Sequence, residues 1–253
     1  MTKSFLVFAL TPLLMGVCIA QERTWREWSK TESEKIMNNS AWGQTQTETD
    51  TSEMVYRPTS VGTGAIGRPD ASRGPVGSTS TMNNSRADRG ATNQAISVNY
   101  RIRLLSAKPV RQAFLRVISI AQKKPDPDLT DGLEAFVNRD FKDFIVVAIT
   151  VDSTDGRFAA PAQEAFATAR IGTVKNIAYL ERKDGKRVFP IEYHPPIADC
   201  LGAKFIFPRR VDEREFLNAN SGSFRFYCEM NSQLKLNVTF KIADVTYEGK
   251  LEY

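Results

Sequence analysis

Two polar residues at a change of sequence pattern have the types and spacing of a simple catalytic pair. Ser106 and Lys108 stand two positions apart, and a serine hydroxyl becomes a nucleophile when a neighbouring lysine accepts its proton. The same serine ends an alternating apolar pattern and precedes Pro109, where a helical pattern begins, and serine at such a point caps a helix. The spacing therefore favours Ser106 as a helix cap, and catalysis by Ser106 with Lys108 is the alternative.

The chain has few histidines and cysteines that could bind a metal or catalyse a reaction. His194 is the single histidine, which excludes a zinc site built from several histidines, and Cys200 and Cys228 do not have metal-ligand spacing. No G-x-S-x-G motif marks a serine that could work with His194. The sequence therefore predicts no metal site and no cofactor, and it places His194 on the surface or at its rim.

A short acidic run resembles a calcium loop at first sight. Asp126, Asp128 and Asp131 are suitable oxygen ligands, but Asp131 occupies the sixth position, where an EF-hand requires glycine, and Val137 occupies the position of the bidentate acid. Capping of a helix explains the run better. We therefore expect Asp128 or Thr130 to cap a second helix.

Basic residues at the same junction are the main candidates for binding. They are Arg101 and Arg103 on the predicted strand, Lys108, Arg111 and Arg116 on the predicted helix, and Arg209 and Arg210 later in the chain. Such a surface could attract an anionic polymer of the cell envelope or an acidic envelope protein. The composition favours the alternative, an ordinary solvated surface of mixed charge.

The first twenty residues have the pattern of a secretory signal. Lys3 is followed by the apolar run Phe5–Val17, and small residues end at Ala20, after which we expect cleavage. Lipid attachment at Cys18 is not favoured, because Val17 stands where that pattern needs a small residue. No later run is long enough for a transmembrane span. The protein is therefore expected to be exported to the periplasm or the extracellular space.

Cleavage of this signal changes the charge and the cysteine count. Loss of Lys3 reduces the basic residues from 34 to 33 against 29 acidic residues, a formal charge of +4. Nucleic acid is not an expected partner of an exported protein with so small an excess of basic over acidic residues. Cys200 and Cys228 remain, and an oxidising compartment allows a disulfide between them. Two separate buried thiols are the equal alternative.

The segment 21–42 contains every tryptophan of the chain: Trp25, Trp28 and Trp42. Trp25 and Trp28 fall on one face of a helix, so a short helix can dock on the domain through its indole rings. The alternatives are a site for a protein partner and a membrane-surface helix. The membrane alternative is not favoured, because acidic residues offset the basic ones on the polar face.

The remainder divides into a polar tract and a patterned domain. Residues 43–95 have few large apolar side chains and predict a disordered linker. Residues 96–253 predict an α+β domain with a largely antiparallel sheet and two or three helices, of which Pro161 opens the third. The strands are expected at Ile96–Leu104, Phe144–Val151 and Ala203–Phe207, in hairpins around Lys183–Lys186 and Asn231–Ser232, and at Val245–Tyr253.

Four short motifs resemble those of uncharacterised secreted bacterial proteins that have a tryptophan-bearing N-terminal segment and one mixed domain. They are Trp25-x-x-Trp28, Asn39-Ser40-Ala41-Trp42, Ser106-Ala107-Lys108-Pro109-Val110-Arg111 and Tyr247-x-Gly249-Lys250-Leu251. The resemblance covers both ends of the chain and leaves out the tract between them. It implies export and a single function for the whole chain, and it implies no catalytic or binding residue.

Taken as a whole, the sequence favours a non-catalytic exported interaction protein of the envelope or periplasm. Its two candidate contact surfaces are the tryptophans Trp25, Trp28 and Trp42 and the basic residues Arg101, Arg103, Lys108 and Arg111. A small secreted hydrolase that uses Ser106 and Lys108 is the alternative.

Overall fold

The computed structural model describes residues 24–50, 95–122 and 126–253. In these ranges the chain forms five α-helices and thirteen β-strands. The helices are α1 (Lys30–Asn38), α2 (Lys108–Ala121), α3 (Pro127–Asn138), α4 (Gly156–Thr168) and α5 (Ile171–Ile177). The strands are β1 (Gly43–Asp50), β2 (Ile96–Leu104), β3 (Phe144–Ser153), β4 (Ala178–Arg182), β5 (Arg187–Val188), β6 (Glu192–His194), β7 (Ala203–Pro208), β8 (Arg210–Val211), β9 (Arg214–Glu215), β10 (Ser223–Glu229), β11 (Lys235–Lys241), β12 (Thr246–Tyr247) and β13 (Lys250–Leu251).

Most strands belong to two antiparallel sheets. The larger sheet has the order β1-β2-β3-β7-β6 and the smaller one has the order β11-β10-β4-β5, while β8–β9 and β12–β13 are separate hairpins. The predicted α+β class with largely antiparallel pairing is confirmed, and so is the short N-terminal helix. The helical part is larger than expected, with four helices after residue 96 instead of two or three. In the ranges that the structure describes, no helix is both long and apolar enough to cross a bilayer.

The core lies where the two sheets face each other. Alternate residues of β2 from Ile96 to Leu104 are buried, as the alternation of apolar side chains predicts. Across the core, the Phe226 ring of the smaller sheet meets Phe205 and Phe207 of the larger sheet at centroid distances of 5.5 and 6.3 Å. Edge-to-face contacts of this kind stabilise the core in two ways: the rings bury a large apolar area, and their relative orientation is favourable.

Strand β1 lies inside the stretch that was predicted to be a linker, so that prediction is wrong for residues 43–50. The strand pairs with β2 in unbroken register from Gly43 opposite Arg103 to Asp50 opposite Ile96. Its threonines and glutamines offer little apolar surface, and its stability comes from backbone pairing with a buried neighbour. The rest of the predicted linker, 51–94, and the predicted signal, 1–20, lie outside the described residues.

Glutamine side chains of β1 cover the free edge of β11. Gln46 donates through Nε2 to the Lys235 carbonyl at 2.7 Å and accepts from the Asn237 N–H at 2.9 Å. Gln44 donates to the Thr239 carbonyl at 2.6 Å. An amide side chain carries the same donor and acceptor as the backbone, so it satisfies a strand edge that is otherwise open to pairing.

Three local boundaries differ from the sequence-based expectation. Helix α3 is capped by Asp126, two residues before Asp128 and four before Thr130, and the Asp126 carboxylate accepts from the Asp128 N–H at 3.1 Å. Helix α4 begins at Gly156 after the cap Asp155, so Pro161 lies inside this helix and does not open it. The end of the chain forms the hairpin β12–β13, in which Gly249 has a positive φ of 75°, instead of one strand.

Substitution of Gly202 by alanine should strongly destabilise the fold. Gly202 and Gly185 both have positive φ, 77° and 83°, which costs an alanine about 1 kcal/mol. At Gly202 the new Cβ would also overlap the carbonyl oxygen of Ile149 on β3, whereas nothing lies near Gly185. We expect Gly202→Ala to lower the free energy of unfolding by about 3 kcal/mol or more, and the matched control Gly185→Ala by about 1 kcal/mol. Urea denaturation measures both, and equal losses would contradict the close approach to β3.

Candidate functional site: a basic cleft

A cleft of about 750 Å³ lies beside the start of α2, the connection from α3 to β3, the end of β7 and the hairpin β12–β13. Its basic lining residues are Lys108, Arg111, Arg139, Lys142, Arg209, Arg210 and Lys250. Its acidic lining residues are Asp140, Glu215 and Glu252. Seven cations against three carboxylates make the local charge positive, although the formal net charge of the whole chain is only +5.

The Arg111 guanidinium forms the inner wall of this cleft. Its side chain is 4% exposed, and Nε donates to the Val137 carbonyl at 3.1 Å. One terminal nitrogen donates to the carbonyls of Leu105 and Ser106, and the other donates to the Arg139 carbonyl at 3.2 Å. Burial lowers the pKa of Arg111 to about 10, so the group still carries its charge at neutral pH. Each of these bonds ends on a neutral carbonyl, and among the described residues the carboxylates of Glu252 and Asp140 act on the charge without a direct bond to it.

Arg209 holds the same connection from the other side. Its Nε donates to the Phe141 carbonyl at 3.2 Å, and a terminal nitrogen donates to the main-chain oxygen of Tyr253. The guanidinium also lies 4.3 Å from the centre of the Tyr253 ring, a cation–π contact. The Phe141 ring in turn lies 4.6 Å from the Arg111 guanidinium and 5.5 Å from that of Arg139. Two arginines therefore fix the backbone that carries the outer cations.

The outer cations differ in how far they are already engaged. Lys108 pairs with Glu248 at 3.5 Å and Lys142 pairs with Asp140 at 2.8 Å. The side chains of Arg139, Arg210 and Lys250 are exposed, and in the described part of the chain they make no hydrogen bond or ion pair. The cleft thus combines a fixed buried charge with three donors that are available to a ligand.

The predicted basic surface is only partly assembled by the fold. Lys108 and Arg111 lie in the cleft together with Arg209 and Arg210, whereas Arg101 and Arg103 are directed elsewhere. Arg101 pairs with Asp152 at 2.9 Å. Arg103 is 7% exposed and binds the end of α1, with its Nη2 2.8 Å from Asn38 Oδ1 and its Nε 3.2 Å from the Met37 carbonyl. Arg103 is therefore a structural residue and does not form part of an exposed binding surface.

The tryptophan segment packs on the domain. Helix α1 lies against α2, and Arg116 of α2 donates to the Trp28 carbonyl at 2.7 Å. Trp42 donates through its indole N–H to the Glu252 carbonyl at 2.8 Å, and its ring meets Tyr247 edge-on at 6.1 Å. Trp25 is half-buried and its ring is covered by Arg26 at 4.5 Å. The segment is therefore docked on the domain, but Trp25, Trp28 and Trp42 all lie outside helix α1, so the prediction of one helix with Trp25 and Trp28 on the same face is wrong.

Ser106 does not cap helix α2, so that expectation is wrong. The cap residue is Ala107, which has no side-chain cap bond. The Ser106 hydroxyl accepts instead from the Val146 N–H at 3.0 Å, within the central strand β3, and the residue is 3% exposed. The Lys108 ammonium is engaged with Glu248. The geometry therefore joins Ser106 to the sheet and gives no support to a nucleophile activated by Lys108.

The two cysteines and the histidine of the domain differ in exposure. Cys200 and Cys228 are both free thiols with no disulfide between them; Cys228 is buried, as the unbridged alternative predicted, whereas Cys200 is exposed. Burial raises the pKa of Cys228 to about 12. His194 is exposed, with Nε2 3.3 Å from Glu192. Among residues 24–50, 95–122 and 126–253, no three His, Cys, Asp or Glu side chains are grouped as metal ligands.

Comparison with known proteins assigns no family. No model of a protein family matches the chain, and no curated protein matches it. One solved structure with partial similarity is a crystal structure of a novel protein of unknown function from Burkholderia pseudomallei K96243, with 10% identity over 55% of this chain and 73% of that chain and a TM-score of 0.37. A TM-score of this size carries no conclusion about fold or function.

Arg111→Lys should destabilise the protein although it keeps the charge. A single ammonium cannot reach all the carbonyls that lie around the edge of the planar guanidinium, so several buried acceptors lose their donor at about 1 to 3 kcal/mol each. We expect a total loss of about 3 kcal/mol. Arg116→Lys is the matched control in the same helix, because Arg116 donates to one carbonyl, that of Trp28. Thermal and urea denaturation would contradict this role of Arg111 if the two variants were equally stable.

The thiols should react at very different rates. In the chain that begins at Gln21, a thiol reagent such as Ellman's reagent should label Cys200 at once. Cys228 should react only after unfolding, because it is 0% exposed and its thiolate is disfavoured by burial. Cys200→Ser should remove the fast phase and leave the slow one. A native protein with no reactive thiol, from which a reductant releases two, would show that a disulfide forms.

Proposed function

We propose that the protein is an exported, non-catalytic interaction protein of the cell envelope or extracellular space, which holds an anionic partner in the basic cleft. The observation that carries this proposal is the buried Arg111 charge, whose hydrogen bonds to described residues all end on carbonyls, at the back of a cleft whose rim has three available cations. A carboxylate or phosphate placed there would gain charge-assisted hydrogen bonds and would offset the positive potential.

The rigidity of the cleft supports binding more than chemistry. Arg111 and Arg209 hold the backbone around Phe141 through several carbonyls, so the rim residue Arg139 projects from a fixed connection. A surface that is ordered before the ligand arrives loses less entropy on binding. Catalysis would need an activated group as well, and Ser106, the one nucleophile suggested by the sequence, is bonded to the Val146 N–H.

Export supports the choice of an envelope partner. The proposed signal has a basic start at Lys3, the apolar run Phe5–Val17 and a small-residue end at Ala20. An exported protein meets anionic polymers and acidic proteins of the envelope before it meets nucleic acid. Mass measurement of the chain recovered from the medium or periplasm of an expressing bacterium tests this step, and a mature chain that begins at Gln21 is the expected result.

Removal of rim cations should weaken binding to envelope material. The variant Arg139→Gln with Lys250→Gln removes two exposed charges that have no ion pair in the described part of the chain. We expect cosedimentation of the mature protein with washed envelope fragments to weaken by about tenfold and to become less sensitive to salt. The matched control is Lys175→Gln with Lys241→Gln, which removes the same charge from exposed positions outside the cleft.

Two results would count against the proposal. If the rim variant and the control bound equally to the envelope fragments, the cleft would not be the contact surface. If the unaltered protein did not cosediment even at low salt, the envelope partner would be wrong. Circular dichroism and thermal denaturation show whether the rim variant keeps its fold, as exposed substitutions should.

A further inference from the structure

A second basic cleft of about 560 Å³ adjoins the first. Its charged lining residues are Arg182, Lys186, Arg187 and Arg214, with Asp212 and Glu215 as the acidic ones. Glu215 lines both clefts, and the hairpin β8–β9 therefore forms a wall common to them. The two concave basic surfaces are consequently neighbours on one side of the molecule.

The shared hairpin presents one arginine to each cleft. Arg210 lines the first cleft and Arg214 lines the second. Their strands are joined by the two-residue turn Asp212–Glu213, in which both residues have positive φ, 50° and 61°. Such a turn matches the twist of a tight hairpin, which limits the positions that the two arginines can adopt. The hairpin is therefore a short ridge with a cation on each side.

The second cleft also has cations that are available to a ligand. Arg182 is engaged with Asp184 and donates to the Phe216 carbonyl at 3.0 Å, and Arg187 pairs with Glu181 at 2.6 Å. The side chains of Lys186 and Arg214 are exposed and make no hydrogen bond or ion pair with any residue that the structure describes. Together with Arg139, Arg210 and Lys250, they place five available cations along the two clefts.

We propose that the two clefts form one track for an unbranched polyanion, which crosses the β8–β9 ridge and contacts both clefts at once. This proposal rests on the proposed function and specifies its ligand. A small anion can satisfy the cations of one cleft, whereas a chain of anionic groups reaches the second cleft without a further loss of translational freedom. Affinity should therefore increase with chain length until both clefts are filled.

The aromatic residues of the track favour a polymer without bases. Single-stranded nucleic acid is held by stacking of its bases on free aromatic faces. In the two clefts, the Phe141 ring is covered by Arg111 and Arg139, and the Phe216 ring has Arg182 over it at 6.0 Å. Guanidinium groups thus occupy faces on which a base would stack. A phosphate-rich chain uses the cations alone, and inorganic polyphosphate is the simplest probe of that chemistry.

The test compares chain lengths and clefts in the mature protein. Calorimetric titration with pyrophosphate, a short polyphosphate and a long polyphosphate should give an affinity per phosphate that increases about tenfold from the shortest to the longest chain. Lys186→Gln with Arg214→Gln should remove this increase and leave pyrophosphate binding unchanged. Arg139→Gln with Lys250→Gln should weaken every probe, and Lys175→Gln with Lys241→Gln should weaken none. Removal of each cation that binds a phosphate should also reduce the salt dependence, by about 0.7 in the slope of log K against log salt.

The outcomes separate the track from the proposed function. An affinity per phosphate that does not change with length, or an increase that survives in the second-cleft variant, would overturn the track while binding in the first cleft would stand. Failure of every polyphosphate to bind would also overturn the track, and the envelope experiment would then decide the proposed function by itself. An oligothymidylate of equal charge that binds as tightly as long polyphosphate would overturn the choice of a polymer without bases.

Discussion

The interaction on which much of this structure depends is the buried Arg111 guanidinium. It joins the carbonyls of Leu105 and Ser106, at the end of β2, to those of Val137 and Arg139, at the end of α3. Those carbonyls would otherwise be acceptors without donors in a buried place, at about 1 to 3 kcal/mol each. One planar group with five donors satisfies several of them from a single position, which an ammonium or an amide could not do. The strand-to-helix junction and the connection to β3 are therefore held by the same side chain.

Hydrogen bonding of Arg111 to carbonyls also has an electrostatic consequence. A carboxylate partner would neutralise the guanidinium, but a carbonyl partner leaves its charge in place, and partial burial reduces screening by water. The positive potential that results is directed to the open side of the cleft, where Arg139, Arg210 and Lys250 add to it. The group that satisfies these carbonyls is thus also a source of the positive potential in the cleft. This explains a locally basic site on a chain whose formal charge is only +5.

The sequence predicted the elements whose position depends on burial of apolar side chains. It did not predict those that depend on polar contacts between residues far apart in the chain. Alternation in Ile96–Leu104 and the apolar run from Phe144 identified β2 and the central strand, because each pattern reflects which faces are covered. Strand β1 was missed because its pairing needs no apolar side chains. Arg103 looked like a surface cation because its acceptors are 65 and 66 residues earlier in the chain. Likewise, no local pattern of the sequence shows that Arg139 and Lys250 meet in one cleft, since the fold brings them together from segments far apart.

The two candidate surfaces that the sequence predicted, the tryptophan segment and the basic residues, both contact Glu252. Trp42 donates to the Glu252 carbonyl at 2.8 Å, while the Glu252 carboxylate accepts from the Lys108 N–H at 3.1 Å. Lys250 lies two residues earlier, in β13 of the same hairpin. The tryptophan segment therefore fixes one rim of the cleft through Glu252. Since an aromatic ring that packs in this way contributes by burial and by its N–H bond, the contacts of Trp42 hold in place the hairpin that carries Lys250.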